Sequence, residues 1–214
     1  MSKTKIILIR HGQSIGNLNR VYLGHTDWDL TELGYLQSEA VCKYLHDEKI
    51  DVIYSSDLIR AYNTVSPIAK QRGMSIIKNK NLREIYAGEW ERKSYEELVS
   101  RYTKEYEIWK TDIGNAGCTG GETVLELQKR IYDEILKIAK ENEGKTVLIG
   151  THATPIRTIN AAINKVAKDE MHKIPWATNA SVTVIEYEND EFKMLEYGED
   201  AFLGDAVTAF GKNI

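Results

Sequence analysis

The chain has 214 residues, 42% hydrophobic and 28% charged, which suits one large domain with a sizeable core better than two independent ones. Its 28 basic and 32 acidic side chains leave a net charge of −4, against the clustered Lys and Arg that nucleic-acid binding by counterion release needs. No stretch approaches the roughly 20 apolar residues of a membrane span, the first apolar run (residues 6–9) is too short for a secretory signal, and Cys42 and Cys118 are few and far apart, so a soluble cytoplasmic protein is expected.

The first strand is expected at Lys5–Ile9, an apolar run of the kind buried on both faces of a sheet. After Thr31, an N-cap, Leu33, Leu36, Ala40, Val41, Tyr44 and Leu45 repeat at helical spacing. A second buried strand follows at Asp51–Tyr54. From Asp57 the apolar positions Leu58, Ala61, Tyr62, Val65, Ile68 and Ala69 predict another helix closed by Gly73, with Pro67 expected to kink or split it near Ser66. Ser75–Lys78 reads as a third buried strand.

The segment 93–121 breaks this rhythm. It is rich in Tyr, Glu and Lys and ends in a glycine-rich loop, so it predicts a small helical cap followed by a flexible connection. Beyond it come a helix at 123–142 with Leu127, Ile131, Ile135 and Ile138 inward, a buried strand at Thr146–Ile149, and a helix at Thr154–Asn164. A hairpin, Ser181–Tyr187 and Glu191–Tyr197, turns through Glu188-Asn189-Asp190. Alternation of this kind predicts an α/β fold, a three-layer α/β/α sandwich with a mostly parallel central sheet, over a single domain 1–214.

In such sheets, ligands collect beyond the carboxyl ends of the strands. Those ends here carry Arg10-His11-Gly12-Gln13-Ser14 with Asn17 close behind, Ser55-Ser56-Asp57-Leu58-Ile59-Arg60, Leu82-Arg83-Glu84, and Thr151-His152. Two histidines, two arginines and a glutamate on one rim suit phosphoryl transfer. Arginine forks match the phosphoryl oxygens, a neutral imidazole nitrogen can attack phosphorus, and one carboxyl group can protonate the leaving alkoxide and later deprotonate water. Gly12 is expected to let the backbone approach the phosphate, and Asn17 to donate a further hydrogen bond.

The motif Arg10-His11-Gly12-Gln13-Ser14-x-x-Asn17 resembles the signature of the histidine phosphatase superfamily, which includes cofactor-dependent phosphoglycerate mutase. The likeness continues in order through Gly24-His25-Thr26-Asp27, Leu30-Thr31-x-x-Gly34-x-x-Gln37, Ser55-Ser56-x-Leu58-x-Arg60-Ala61-x-x-Thr64, Leu82-x-Glu84-x-x-x-Gly88-x-Trp90-Glu91, Gly121-Glu122-Thr123, His152 and Ile156-Arg157. The resemblance implies the phosphoglycerate mutase-like fold, phosphorylation of His11, a phosphate cradle of Arg10, Arg60 and His152, an acid/base role for Glu84 and a phosphate contact from Asn17. Gln13, Ser14, Gly24, Tyr22 and Glu122 join the candidate substrate-binding set, Glu122 equally able to serve as a helix-start charge. Arg92 stands where the family has glycine and is counted as a candidate rim cation, although an arginine's ordinary place is in solvent.

The segment Arg83-Glu84-Ile85-Tyr86-Ala87-Gly88-Glu89-Trp90 and the short insertion resemble the phosphatase branch rather than the mutase branch. The expected activity is therefore hydrolysis of a small phosphorylated metabolite without metal or other cofactor. A bisphosphoglycerate-dependent mutase and a non-catalytic phospholigand-binding module are the alternatives, and a homodimer is left open. Gly144-Lys145-Thr146 is no P-loop, because it precedes a strand and lacks the first glycine, and no zinc-ligand spacing occurs.

Overall fold

The computed structural model describes residues 2–208. Strand β1 (Thr4–Arg10) runs through the middle of a six-stranded sheet and leads through a single helical turn, α1 (Ile15–Leu18), to helix α2 (Glu32–Tyr44). There follow β2 (Val52–Ser55), α3 (Ile59–Arg72) and β3 (Ile76–Lys78), then the inserted helices α4 (Tyr95–Arg101) and α5 (Thr103–Thr111). The chain returns through α6 (Val124–Glu141), β4 (Thr146–Thr151) and α7 (Ala153–Ile163), and closes with β5 (Val182–Glu188) and β6 (Glu191–Glu199). The strand order is β3-β2-β4-β1-β5-β6; β3, β2, β4 and β1 are mutually parallel, and β5 is antiparallel to both β1 and β6.

The two-residue period of β1 decides the layers. Ile6 and Leu8 pack with Ile131, Ile135 and Ile138 of α6 and Ile156 and Ile159 of α7, while Ile7 and Ile9 pack with Val41 of α2 and Val65 and Ile68 of α3. Both faces are therefore covered, which is why Ile6–Ile9 of β1 and Val147–Ile149 of β4 form unbroken apolar runs. A third core lies outside the sheet, where Trp90, Tyr95, Leu98, Tyr106, Trp109 and Ile113 join the inserted helices to α6.

Local signals explain the element ends. Thr31 and Thr123 accept hydrogen bonds from Gly34 and Glu126 N–H as N-caps, and Gly73 closes α3 at φ +62°. The β5–β6 turn puts Asn189 and Asp190 at φ +54° and +62°, the two left-handed residues of a type I′ hairpin.

Three expectations fail for physical reasons. First, β3 is a partly exposed edge strand pairing only with β2, not a strand buried on both faces. Second, α2 turns a small, polar face inward: Gly34, Gln37 and Ser38 are buried while Leu36 is 65% exposed. A Cβ on Gly34 would sit 2.2 Å from the Gln13 carbonyl oxygen, and the Gln37 side chain accepts from the Gln13 N–H, so contact with the His11 loop fixes the helix rotation. Third, α3 passes through Pro67 unbroken. Pro67 has no N–H for the Asn63 carbonyl, and the Ser38 hydroxyl lies within hydrogen-bond reach of that oxygen at 3.2 Å and of Thr64 O at 2.9 Å.

No helix among the described residues is long and apolar enough to cross a membrane. Cys42 and Cys118 are both buried free thiols. If Ser38 compensates Pro67, Ser38→Ala should destabilise the protein by about 1–2 kcal/mol, as for a lost buried hydrogen-bond partner, and by clearly less in a Pro67→Ala background. Urea denaturation of the four proteins of this cycle measures the coupling, and strict additivity would refute the compensation.

Candidate active site

The parallel register of β1 and β4 pairs Arg10 with Thr151, so the next residues, His11 and His152, leave the sheet side by side. Their rings meet edge to face with centroids 5.2 Å apart. Ser56, just past β2, reaches His152 Nε2 at 2.9 Å, so three adjacent strand ends meet in one place. His152 Nδ1 is buried without a hydrogen-bond partner among the described residues.

His11 is held in one protonation form by its neighbours. Its Nδ1 lies 2.7 Å from the Gly12 carbonyl oxygen, which can only accept, so Nδ1 carries the hydrogen and Nε2 keeps the lone pair. Burial, followed by the positive charges of Arg60 and Arg10, pushes its pKa well below the usual histidine value. The His152 pKa is likewise pushed far down, by burial and then by Arg60. Both imidazoles are neutral at pH 7.

Arg10 and Arg60 are buried beside them. The Arg60 guanidinium donates to Thr26 O at 2.9 Å and Gly24 O at 2.8 Å, and Arg10 donates to Ala177 O. Desolvation brings each guanidinium pKa down to about 10, so both stay charged. Glu84, only 7% exposed, shares the cleft with them, and its Oε1 accepts from Ile85 N–H at 2.8 Å while Oε2 accepts from Thr154 N–H at 3.3 Å. Burial raises its pKa, with the backbone hydrogen bonds and Arg60 opposing. The sum is a neutral base and a carboxyl group biased toward its acid form, with two fixed cations beside them.

The cleft is lined by the polar groups of Arg10, His11, Ser14, Asn17, Arg60 and Glu84 and by the aromatic rings of Tyr22, Tyr95, Trp109 and Trp176. Asn17 Oδ1 is occupied by Ser14 N–H, the Ser14 hydroxyl and the Asn179 amide, which leaves its Nδ2 to donate to a ligand. Thus His11, Arg10, Arg60, Glu84, Asn17, Ser14 and Tyr22 line one cavity, with His152 packed against His11.

Other candidates lie elsewhere. Gln13 is tied to Thr31 and Gln37 and does not line the cleft. Gly24 acts through its backbone, its carbonyl accepting from Arg60 and its N–H donating to the Glu91 carboxylate. Glu122 forms a two-point ion pair with Arg130 and accepts from Tyr86 N–H, outside the cleft, so it braces the segment carrying Glu84 instead of meeting substrate. Arg92 is exposed at φ +62° and away from the cleft. Gly12 makes its close approach to α2, where a Cβ would lie 2.6 Å from Gly34 O, and not to the cleft.

The sequence reading missed Ser56, Asn179, Tyr95, Trp109 and Trp176 as site residues. Ala153 and Thr154, which follow His152 where the family has glycines, line the cleft. The aromatic residues carried no local signal separating a pocket wall from a core.

Comparison with known proteins points the same way. The profile of the histidine phosphatase superfamily (branch 1) matches residues 6–200. Phosphoserine phosphatase 1 of Hydrogenobacter thermophilus is 30% identical, covering 94% of this chain and 95% of that one. Phosphoglycerate mutase-like protein 4 of Arabidopsis thaliana is 28% identical over 93% and 86% of the two chains. The solved structure of Bacillus stearothermophilus YhfR superposes with a TM-score of 0.90 at 28% identity, covering 94% of this chain and 99% of that one.

The buried neutral histidines make stability depend on pH. Below pH ~6.5 the unfolded chain takes up protons on His11 and His152 that the native state refuses, so their contribution is full above that pH and is lost as pH falls. Each histidine adds a limiting slope of about 1.4 kcal/mol per pH unit. Urea denaturation at pH 7, 6 and 5 should show a shallower decline for His152→Asn than for wild type; equal slopes would contradict a buried neutral His152.

Proposed function

The chain belongs to the histidine phosphatase superfamily, and on that premise we propose that it hydrolyses a small phosphomonoester through a phosphohistidine on His11. The observation that carries this reading is the pairing of a lone-pair nitrogen, Nε2 of His11, with a buried carboxyl group of raised pKa in one cleft flanked by two guanidiniums. Phosphatases of the same family among the relatives of similar length support hydrolysis as the outcome.

In the first step the His11 Nε2 lone pair attacks phosphorus. The bond from phosphorus to the ester oxygen breaks with its electron pair on that oxygen, and protonated Glu84 supplies the proton. Arg10 and Arg60 offset the charge spread over the equatorial oxygens, and Asn17 Nδ2 adds a neutral donor. In the second step the Glu84 carboxylate takes a proton from water as that water attacks phosphorus. The phosphorus–nitrogen bond breaks, inorganic phosphate leaves, and His11 is neutral again.

No metal ion takes part in this scheme, because the two arginines supply the positive charge. The phosphoenzyme needs neutral His11 and protonated Glu84, so its formation should slow as pH rises through the raised Glu84 pKa.

His11→Ala should reduce p-nitrophenyl phosphate turnover to background and abolish acid-labile labelling by a radioactive phosphoester; wild-type turnover would remove His11 as the nucleophile. Glu84→Gln should slow ethyl phosphate hydrolysis by roughly 10²-fold or more, the size expected of a general acid, and slow the first step with p-nitrophenyl phosphate far less. An equal loss on both esters would argue against proton donation by Glu84.

A further inference from the structure

Ser56 and His152 follow neighbouring strands, and their surroundings decide which of them owns the hydrogen between them. Ser56 is fully buried just past β2, and its hydroxyl oxygen lies 2.9 Å from His152 Nε2. The same oxygen accepts from the Leu58 N–H at 3.3 Å. Among the described residues, His152 Nε2 is the one acceptor within reach of the hydroxyl hydrogen. A neutral imidazole carries one N–H and one lone pair. With the hydrogen on Nε2, the buried hydroxyl hydrogen and the Nδ1 lone pair would both lack partners. With the hydrogen on Nδ1, the hydroxyl donates to Nε2 and only the Nδ1 N–H is left over. Each unpaired buried group is costly, so the second arrangement is favoured.

The surroundings of Nδ1 agree. His152 is the N-cap residue of α7, beside main-chain N–H groups from which a side-chain lone pair could accept, yet it makes no cap hydrogen bond. The Thr154 N–H goes to Glu84 instead. Nδ1 itself is buried without a partner among the described residues, in a ring whose centroid is 5.2 Å from that of His11. The two nitrogens of an imidazole face widely different directions. With Nε2 turned to Ser56, Nδ1 turns away from β2, and the strand on the other side of β4 is β1, which leads to His11.

His11 has the complementary arrangement. The Gly12 carbonyl takes the Nδ1 hydrogen of His11 and leaves a lone pair on Nε2. The Ser56 hydroxyl takes the Nε2 lone pair of His152 and leaves an N–H on Nδ1. One histidine thus keeps a nucleophilic nitrogen and the other an uncharged donor, the pair that an anionic phosphoryl group requires.

We propose that Ser56 is a positioning residue: it holds His152 as the Nδ1–H tautomer, so that this N–H donates to the phosphoryl group at His11. This role presupposes the phosphohistidine reading and names the residue that orients its second histidine. Ser56 does not line the cleft and acts through His152. By occupying the Nε2 lone pair, it also keeps His152 from competing with His11 as the nucleophile.

Long-range ¹H–¹⁵N NMR of the full-length protein at pH 7 reads the tautomer directly, with His152 assigned by the signals missing from His152→Asn. Wild type should show a protonated, pyrrole-type Nδ1 and an unprotonated, pyridine-type Nε2; the reverse pattern overturns the proposal without any further variant. Adding inorganic phosphate should move the His152 Nδ1–H proton downfield. A shift at His11 alone removes the donor role of His152 and leaves the phosphatase reading standing; no shift at either histidine, with no ester turned over, removes both. Ser56→Ala should give mixed tautomers at His152 with the His11 pattern unchanged. Its kcat/KM for p-nitrophenyl phosphate should fall about tenfold, less than the full loss of a transition-state donor because part of the population keeps the Nδ1–H form. A folded Ser56→Ala protein with the wild-type tautomer, or with wild-type kcat/KM, overturns the role of Ser56.

Discussion

Two guanidinium groups lie buried beside His11, and the loops around them are shaped by the need to keep them charged there. Arg60 has no carboxylate in ion-pair contact among the described residues; main-chain carbonyls of Gly24 and Thr26 hold it. Carbonyls fix a cation without cancelling it, so its charge stays available to an anion. The loop supplying them is itself clamped, since the Glu91 carboxylate accepts from the N–H groups of Gly24, His25 and Thr26 and from the Thr26 hydroxyl. Glu91 thus acts through the loop, at a distance from the phosphate end.

The opposite requirement governs Glu84, whose carboxyl group must resist ionising next to two cations. Burial outweighs their attraction, and the segment is held in place from both sides. Arg83 forms a two-point ion pair with Asp57 at 2.6 Å, and Arg130 donates to Asn81 O, Arg83 O and Glu84 O while paired with Glu122. His11 and Glu84 are pushed in opposite directions, the imidazole down and the carboxyl up. That divergence is how one cleft holds a base and an acid at the same pH.

The inserted helices serve two purposes with the same side chains. Tyr95 and Trp109 are nearly fully buried in the third core, yet each also presents a surface to the cleft. Removing Trp90 beneath them would leave a large void, a loss on the order of 3–5 kcal/mol, and would loosen the wall that faces the ligand. Pocket shape and cap stability are therefore coupled.

The sequence by itself located most of the strands and helices and the groups proposed to react. Apolar runs bounded by turn residues located the strands, helical spacing and caps located α3 and α6, and the residues after β1, β2 and β4 included His11, Arg60 and His152, because strand ends are where a parallel sheet collects its ligands. Tertiary structure alone decided what depends on contacts between distant segments. It rotated α2 so that Gly34 and Gln37 meet the His11 loop, carried α3 unbroken through Pro67 with the Ser38 hydroxyl beside the Asn63 and Thr64 carbonyls, and moved Arg92 and Glu122 out of the candidate site. It also divided the aromatic residues between core and pocket: Trp90 is enclosed, while Trp109 and Trp176 reach the cleft. Periodicity reports which face of an element is apolar, but the partner of that face is chosen by packing, and packing is a property of the folded chain.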